Sequence, residues 1–181
     1  MELATAVGLI EQGVTRMPTP QKWVDLGAGK GLFTNALAVL LGAGSMVYAV
    51  DKDQRALNEI KIKSTGASII KLRKNFVVEN LDWEKWDGVL MANALHFVSD
   101  PLPLLQKIKE SLQPGGRVIL VEYDTDDPNP WVPHPVSFLS LKKLIQDTGF
   151  ESPKKLGEEP SLFNRATIYS ASVEKSIVHS P

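Results

Sequence analysis

An open, doubly wound α/β sheet is the fold class this sequence predicts, and three observations predict it. Trp23, Val24 and Leu26 make a short apolar strand that runs into Gly27-Ala28-Gly29-Lys30-Gly31 and then into the Ala- and Leu-rich stretch 32–41. A second apolar run, Met46 to Val50, ends in Asp51, twenty residues after Gly31. Short apolar runs then keep alternating with stretches of helical periodicity, the pattern of parallel strands joined by crossover helices.

The glycine turn is the centre of this pattern. Glycine has no Cβ, so it takes positive φ and lets a ligand approach the backbone. The helix that follows offers unpaired N–H groups at its start. An acidic residue ending the next strand is placed as α/β nucleotide sites place the group that holds ribose hydroxyls. A P-loop needs Ser or Thr after Gly-Lys, to hold magnesium. Gly29-Lys30 is followed by Gly31, so that reading fails. A dinucleotide turn needs G-x-G-x-x-G. Here the third glycine comes one place early and Leu32 stands where it would be. G-x-G-x-G preceded by Asp25, with Asp51 ending the next strand, resembles the first two motifs of class I S-adenosylmethionine-dependent methyltransferases. Leu112-Gln113-Pro114-Gly115-Gly116-Arg117, ahead of an apolar strand, is a second resemblance to that family, and together they span about residues 5 to 174.

The resemblance implies a Rossmann-like three-layer αβα sandwich over residues 1–181, with a mostly parallel seven-stranded sheet whose last strand is antiparallel. It implies S-adenosyl-L-methionine as cofactor and methyl transfer as the reaction. Gly27, Ala28 and Gly29 then meet the cofactor through their backbone. Asp25 orients the loop, reaches the methionine amino group, or makes a purely structural hydrogen bond. Asp51, with Lys52 beside it, accepts from both ribose hydroxyls. Asn75 stands where many members carry Asp, to meet the adenine amino group, and Phe76 faces the ring or packs in the core. Asn93 and Ala94 follow the fourth strand, where the chain passes beside the sulfonium.

Composition bounds the rest. At 181 residues, 43% hydrophobic and 23% charged, the chain reads as one globular domain with a full core. Its net charge of −1 favours no polyanion, so no nucleic-acid partner is expected. With no cysteine it makes no disulfide, thiolate metal site or cysteine nucleophile, which fits a cytoplasmic setting. No apolar run reaches the ~20 residues that span a bilayer, and the start lacks a signal-peptide pattern, so no membrane partner is expected.

The elements follow in order. Residues 2–13 carry Leu3, Ala6, Val7, Leu9 and Ile10 on one helical face, a packing helix or a flap over the cofactor, ended by Gly13. Asp53 is placed to cap a helix with apolar Ala56, Leu57, Ile60 and Ile62, ended by Gly66. Ser68 to Leu72 is a third strand and Trp86 to Ala92 a fourth. Asp100-Pro101 opens a helix whose stripe is Leu102, Leu105, Ile108 and Leu112. The L-x-P-G-G-R turn leads to the strand Val118 to Val121, with Glu122, Tyr123 and Asp124 at its carboxyl end. Residues 124–135 form a stiff loop with prolines 128, 130, 133 and 135, placed to wall a substrate pocket. Phe138 to Thr148 reads as a helix, 151–156 and 166–173 as two edge strands on the substrate side, and the end from Glu174 as a frayed tail.

Methyl transfer is an in-line displacement on an activated donor, so the protein mainly positions the acceptor and at need removes a proton. Candidate bases are His96, after the fourth strand, and Tyr123, which also serves as an aromatic wall; Asp124 and His134 are weaker candidates, and His179 belongs to the tail. Three scattered histidines make no metal constellation. Asn129-Pro130-Trp131 superficially resembles the tetrad of amino-methylating nucleic-acid enzymes, but it has one proline and follows the wrong strand. The expected partner is a small-molecule methyl acceptor, of unassigned atom type. A non-catalytic cofactor-binding or partner-binding protein on the same fold and a nicotinamide-dependent oxidoreductase are the competing readings, the latter disfavoured by the glycine spacing.

Overall fold

The structure is a computed structural model that describes residues 1–15, 17–61, 66–79, 81, 85–161 and 167–176. Seven strands form one sheet: β1 (Lys22–Leu26), β2 (Met46–Asp51), β3 (Ser68–Arg73), β4 (Trp86–Ala92), β5 (Leu112–Tyr123), β6 (Lys154–Pro160) and β7 (Thr167–Glu174). Their order is β3-β2-β1-β4-β5-β7-β6. β1 to β5 pair in parallel, and β7 lies antiparallel between β5 and β6. The helices are α1 (Leu3–Ile10), α2 (Leu32–Leu40), α3 (Gln54–Glu59), α4 (Pro101–Ser111) and α5 (Phe138–Gln146).

Both faces of the sheet are covered, which is why the central strands read as continuous apolar runs rather than as alternating ones. Trp23, Val47, Leu90, Ile119 and Val121 pack against Ala6, Leu9 and Ile10 of α1 and Phe33, Ala36 and Leu37 of α2. Val24, Leu26, Val89, Met91, Val118 and Leu120 pack on the opposite side, against Leu105 and Ile108 of α4 and Leu141 and Ile145 of α5. Each fully buried Leu or Ile contributes about 1.5–3 kcal/mol through the water it sheds. The expected three-layer sandwich is thus observed.

Several elements differ from their sequence-based extents for identifiable reasons. The N-terminal helix stops at Ile10 and tightens into a single 3₁₀ turn over Glu11–Gly13. α3 is capped by the Asp53 carboxylate as expected, through Arg55 N–H at 2.8 Å, but it ends at Glu59. Ile60 turns extended, buries its side chain against Ala49 and Leu57, and gives its carbonyl to Lys71 Nζ at 2.8 Å. Ile62 lies outside the described residues. Leu112 does not continue the α4 stripe; it starts β5 by pairing with Trp86, while Arg117 pairs with Gly88. The four residues between them are therefore extruded, and Gly115 takes φ +74°. β6 runs to Pro160, four residues beyond the expected end, through an irregularity between Lys155 and Gly157. In the proline-rich loop, Asn129 Oδ1 accepts from Trp131 N–H (2.9 Å) and Val132 N–H (3.1 Å), which makes Asn129-Pro130-Trp131 a tight turn with Trp131 83% exposed.

Candidate cofactor and acceptor site

The site lies along the carboxyl edge of β1, β2, β4 and β5, where the crossover connections leave a crevice. At the end of β1 the chain turns on Gly27, whose N–H donates to the Val50 carbonyl at 2.8 Å. Gly27 has φ +83°, and a Cβ there would lie 2.6 Å from the Ala94 Cβ and 3.5 Å from Phe76 Cε1. Only glycine fits, because the turn is pressed against the segment after β4. Gly29 follows at φ +53° with open space where a Cβ would be.

Asp51 fixes this turn to the end of β2. Its Oδ2 accepts from Gly29 N–H and its Oδ1 from Asp53 N–H, each at 2.8 Å. A carboxylate has about four lone-pair sites, so both oxygens keep capacity for a ligand hydroxyl. Asp25, one strand inward, is 1% exposed. Its Oδ2 accepts from the Thr34 hydroxyl at 2.6 Å, while its Oδ1 is buried with no hydrogen-bond partner among the described residues. Burial, opposed by the Thr34 bond and helped by the charge of Asp51, pushes the Asp25 carboxyl up to about 7.

The opposite wall comes from the turn after β4. Asn93 is the one non-glycine residue among those described with positive φ (+51°), and its N–H donates to the Val121 carbonyl at 2.8 Å. Its Oδ1 is buried and also without a partner among the described residues. Asn93 stands between two cavities. One, about 220 Å³, is lined by Gly27, Asp51, Lys52, Asn75, Phe76 and Ala94, together with Val77 and Phe97. The other, about 370 Å³, is lined by Glu2 just before α1, Thr5 of α1, Leu32 and Phe33 of α2, Tyr123, Glu159 and Ile168, besides Met1, Pro160 and Asn93 itself. The structure therefore brings Gly27, Asp51, Lys52, Asn75, Phe76, Asn93 and Ala94 around one cavity. Ala28 and Gly29 belong to the same turn, and Asp25 sits beneath it.

Asn75 is engaged within its own turn: its Oδ1 accepts from Val77 N–H at 3.1 Å and its N–H donates to Glu79 Oε1 at 2.8 Å. His96 is 2% exposed, and its Nδ1 lies 2.6 Å from Glu122 Oε2. It lines neither cavity. Tyr123 does line the larger one, and burial together with the neighbouring Glu122 raises its phenol pKa. Asp124 accepts from Phe138 N–H, the first of α5, at 2.8 Å, while Ser137 caps that helix. His134 is exposed, and its backbone N–H donates to the His96 carbonyl at 3.0 Å. His179 lies outside the described residues. Residues 125–135 line neither cavity; α1 and the β6–β7 end wall the larger one instead. Sequence reasoning offered the N-terminal helix as a flap and set the C-terminal strands on the substrate side, but it named none of Glu2, Thr5, Glu159 and Ile168, because pairing between chain ends leaves no local signal. It also gave Glu122 no role, although a lone carboxylate directly after Val118-Ile119-Leu120-Val121 is an unusual occupant of a buried strand.

A parallel sheet in this order, with an antiparallel seventh strand and an acid-anchored glycine turn at its carboxyl edge, defines the class I S-adenosylmethionine-dependent methyltransferases. Residues 24–120 match the sequence profile described as a methyltransferase domain, and the chain belongs to that family. It is 30% identical over 142 residues to an uncharacterized methyltransferase of Mycobacterium tuberculosis, covering 73% of this chain and 56% of that protein. It is 30% identical over 109 residues to the ubiquinone biosynthesis O-methyltransferase of Haemophilus ducreyi, covering 55% and 44%. The chain thus spans about half the length of the curated relatives it matches. Among solved structures, the YcgJ protein of Bacillus subtilis superposes with a TM-score of 0.74 at 11% identity, over 96% of this chain and 99% of that one. A methyltransferase of Methanosarcina mazei gives 0.68 at 17% identity, over 89% and 95%.

Proposed function

We propose that the protein transfers the methyl group of S-adenosylmethionine to a small-molecule acceptor, that residues 1–181 act as one domain, and that it works in the cytoplasm without a nucleic-acid partner. The observation that carries this reading is the pair of cavities meeting at Asn93, with the glycine turn and Asp51 on one side and Tyr123 on the other. The near-neutral net charge and the absence of cysteine support the remainder. Among the described residues, no helix is long and apolar enough to cross a membrane, and no cluster of His, Asp and Glu could hold a metal ion.

The residues fit the cofactor. The missing Cβ at Gly29 leaves open space for a ligand against the backbone. Among the described residues no donor reaches the buried acceptors Asp25 Oδ1 and Asn93 Oδ1, and the methionine end of the cofactor carries an ammonium. Asp51 orients its carboxylate for vicinal hydroxyls by spending one lone pair of each oxygen on the backbone. Phe76 and Asn75 form the far end of the smaller cavity's wall, where a flat base would lie. When bound, S-adenosylmethionine supplies a methyl group already activated by its sulfonium. The chain then has to hold an acceptor in line and keep water away, and its apolar lining (Leu32, Phe33, Ile168) does the second. Tyr123 keeps its proton, so it acts as a hydrogen-bond donor to the acceptor rather than as a base.

Calorimetric titration with S-adenosylmethionine, S-adenosylhomocysteine and NAD in parallel tests the cofactor. Binding of both sulfur nucleotides and not NAD is expected; binding of NAD alone overturns the reading. A screen of small hydroxyl, amine and thiol acceptors for S-adenosylhomocysteine release then tests the transfer.

A further inference from the structure

We propose that Glu122 is the positioning residue of this site, holding the wall between the two cavities in shape through the turn at residues 93–97. Glu122 is 1% exposed and lines neither cavity. Its Oε1 accepts from three successive backbone N–H groups, those of Ala94 (3.1 Å), Leu95 (2.8 Å) and His96 (3.3 Å). Its Oε2 takes the fourth contact, 2.6 Å from His96 Nδ1. These are the free donors at the start of the 3₁₀ turn Leu95–Phe97, and the protein's own carboxylate satisfies them. The turn cannot shift without uncovering a carboxylate in the core, which is among the costliest groups to leave unpaired.

The consequence reaches the cavities through the two preceding residues. With Ala94 N–H held by Glu122 and Asn93 N–H held by Val121, the backbone between them is pinned at both ends, and Asn93 takes its left-handed φ of +51°. Ala94 is thereby held against Gly27, and Asn93 Oδ1 is held at the boundary of the two cavities. His96 passes the constraint on, since its carbonyl accepts from His134 N–H and ties down the proline-rich loop. A carboxylate only accepts, so Glu122 also sets the imidazole: Nδ1 carries the proton.

The inference rests on the proposed cofactor site, and the experiment separates the two. Glu122→Gln keeps the shape and one acceptor oxygen but turns the other position into a donor; Glu122→Ala removes all four contacts. S-adenosylhomocysteine affinity is expected to fall by about fivefold or more in E122Q and further in E122A. Ile108→Ala, which empties a core position on α4, controls for stability loss alone and is expected to leave affinity within about twofold. Imidazole nitrogen NMR provides a second readout: His96 is expected to hold its proton on Nδ1 in the wild type and to give Nδ1 up as an acceptor in E122Q. Wild-type affinity in E122Q overturns the inference, as does an equal loss in I108A or a bare Nδ1 in the wild type. If E122A does not fold, E122Q and the NMR readout decide. Failure of the wild type to bind any sulfur nucleotide overturns the cofactor reading instead, and the NMR result still judges the Glu122–His96 geometry.

Discussion

Asp25→Asn is the substitution with the most to tell. Burial holds this carboxyl at about 7 in the folded protein, against an ordinary value of 3.8. Each pH unit between the two is worth about 1.36 kcal/mol, so ionised Asp25 weakens the fold by about 4 kcal/mol relative to its protonated form. The sign follows from proton counting. Between the two values the native chain holds a proton that the unfolded chain has released, so stability falls as pH rises from about 4 to about 7, and the loss persists above that. Asparagine keeps an acceptor for Thr34 and cannot ionise, but it leaves an unpartnered amide where Oδ1 was, at a cost of about 1–3 kcal/mol. The expected result is a crossover: D25N less stable than the wild type near about pH 4, and more stable by about 1–3 kcal/mol near about pH 8. Urea denaturation followed by tryptophan fluorescence at several pH values measures it. Parallel pH profiles for the two proteins, with a constant gap, would refute the argument, because the buried carboxylate must then have a donor at its spare oxygen. Calorimetry completes the case: D25N is expected to bind S-adenosylhomocysteine more weakly than the wild type at about pH 8, since the carboxylate that costs stability is the one that meets the ammonium.

Three further substitutions probe the rest of the site. Asp51→Ala removes acceptors from Gly29 and Asp53 N–H, and it is expected to lower S-adenosylhomocysteine affinity by about tenfold or more; unchanged affinity in calorimetry removes Asp51 from the ribose role. Gly27→Ala places a methyl group 2.6 Å from Ala94 Cβ at φ +83°. It is expected to cost about 2–5 kcal/mol in chemical denaturation, from backbone strain plus overpacking, and to abolish binding. Asn93→Gly relieves the left-handed strain and deletes the buried unpartnered oxygen. Its stability is expected to stay level or rise by about 1–2 kcal/mol while cofactor affinity drops; a loss of stability would show that Oδ1 has a partner in solution.

What the sequence made legible depends on how local the constraint is. The turn 27–31, Asp51 and the cap Asp53 are set by residues within a few positions of one another, and spacing alone carries them. The two-sided burial of β1, β4 and β5 is likewise written as unbroken apolar runs. β5 was harder, because the extrusion between Leu112 and Arg117 lets a strand begin inside what reads as a turn. The acceptor side was hidden for a different reason. Its wall is assembled from α1, α2, β5 and the β6–β7 end, residues as far apart as Glu2 and Ile168, and the proline-rich loop that composition favoured lines neither cavity. His96 shows the same limit in one residue: its position after β4 suggests a base, and only the structure reveals the Glu122 carboxylate that occupies it.

The distribution of unsatisfied groups argues that the site is built at the expense of the fold. Among the described residues three buried side-chain atoms lack partners: Asp25 Oδ1, Asn93 Oδ1 and Trp86 Nε1. Native interiors satisfy nearly all such groups, so each orphan asks for a cause. Trp86 packs edge-on to Tyr48 at 5.1 Å with Lys22 over its ring, and its bulk outweighs one lost hydrogen bond. The other two have no such compensation. One lies beneath the glycine turn and the other at the junction of the cavities, both are acceptors, and Asn93 itself is held in left-handed backbone. A core optimised for stability alone would place a hydrophobe at 25 and a glycine at 93. That acceptors stand there instead, and that Glu122 is spent on freezing the turn which carries one of them, is what a fold does when a cationic, donor-rich ligand completes it.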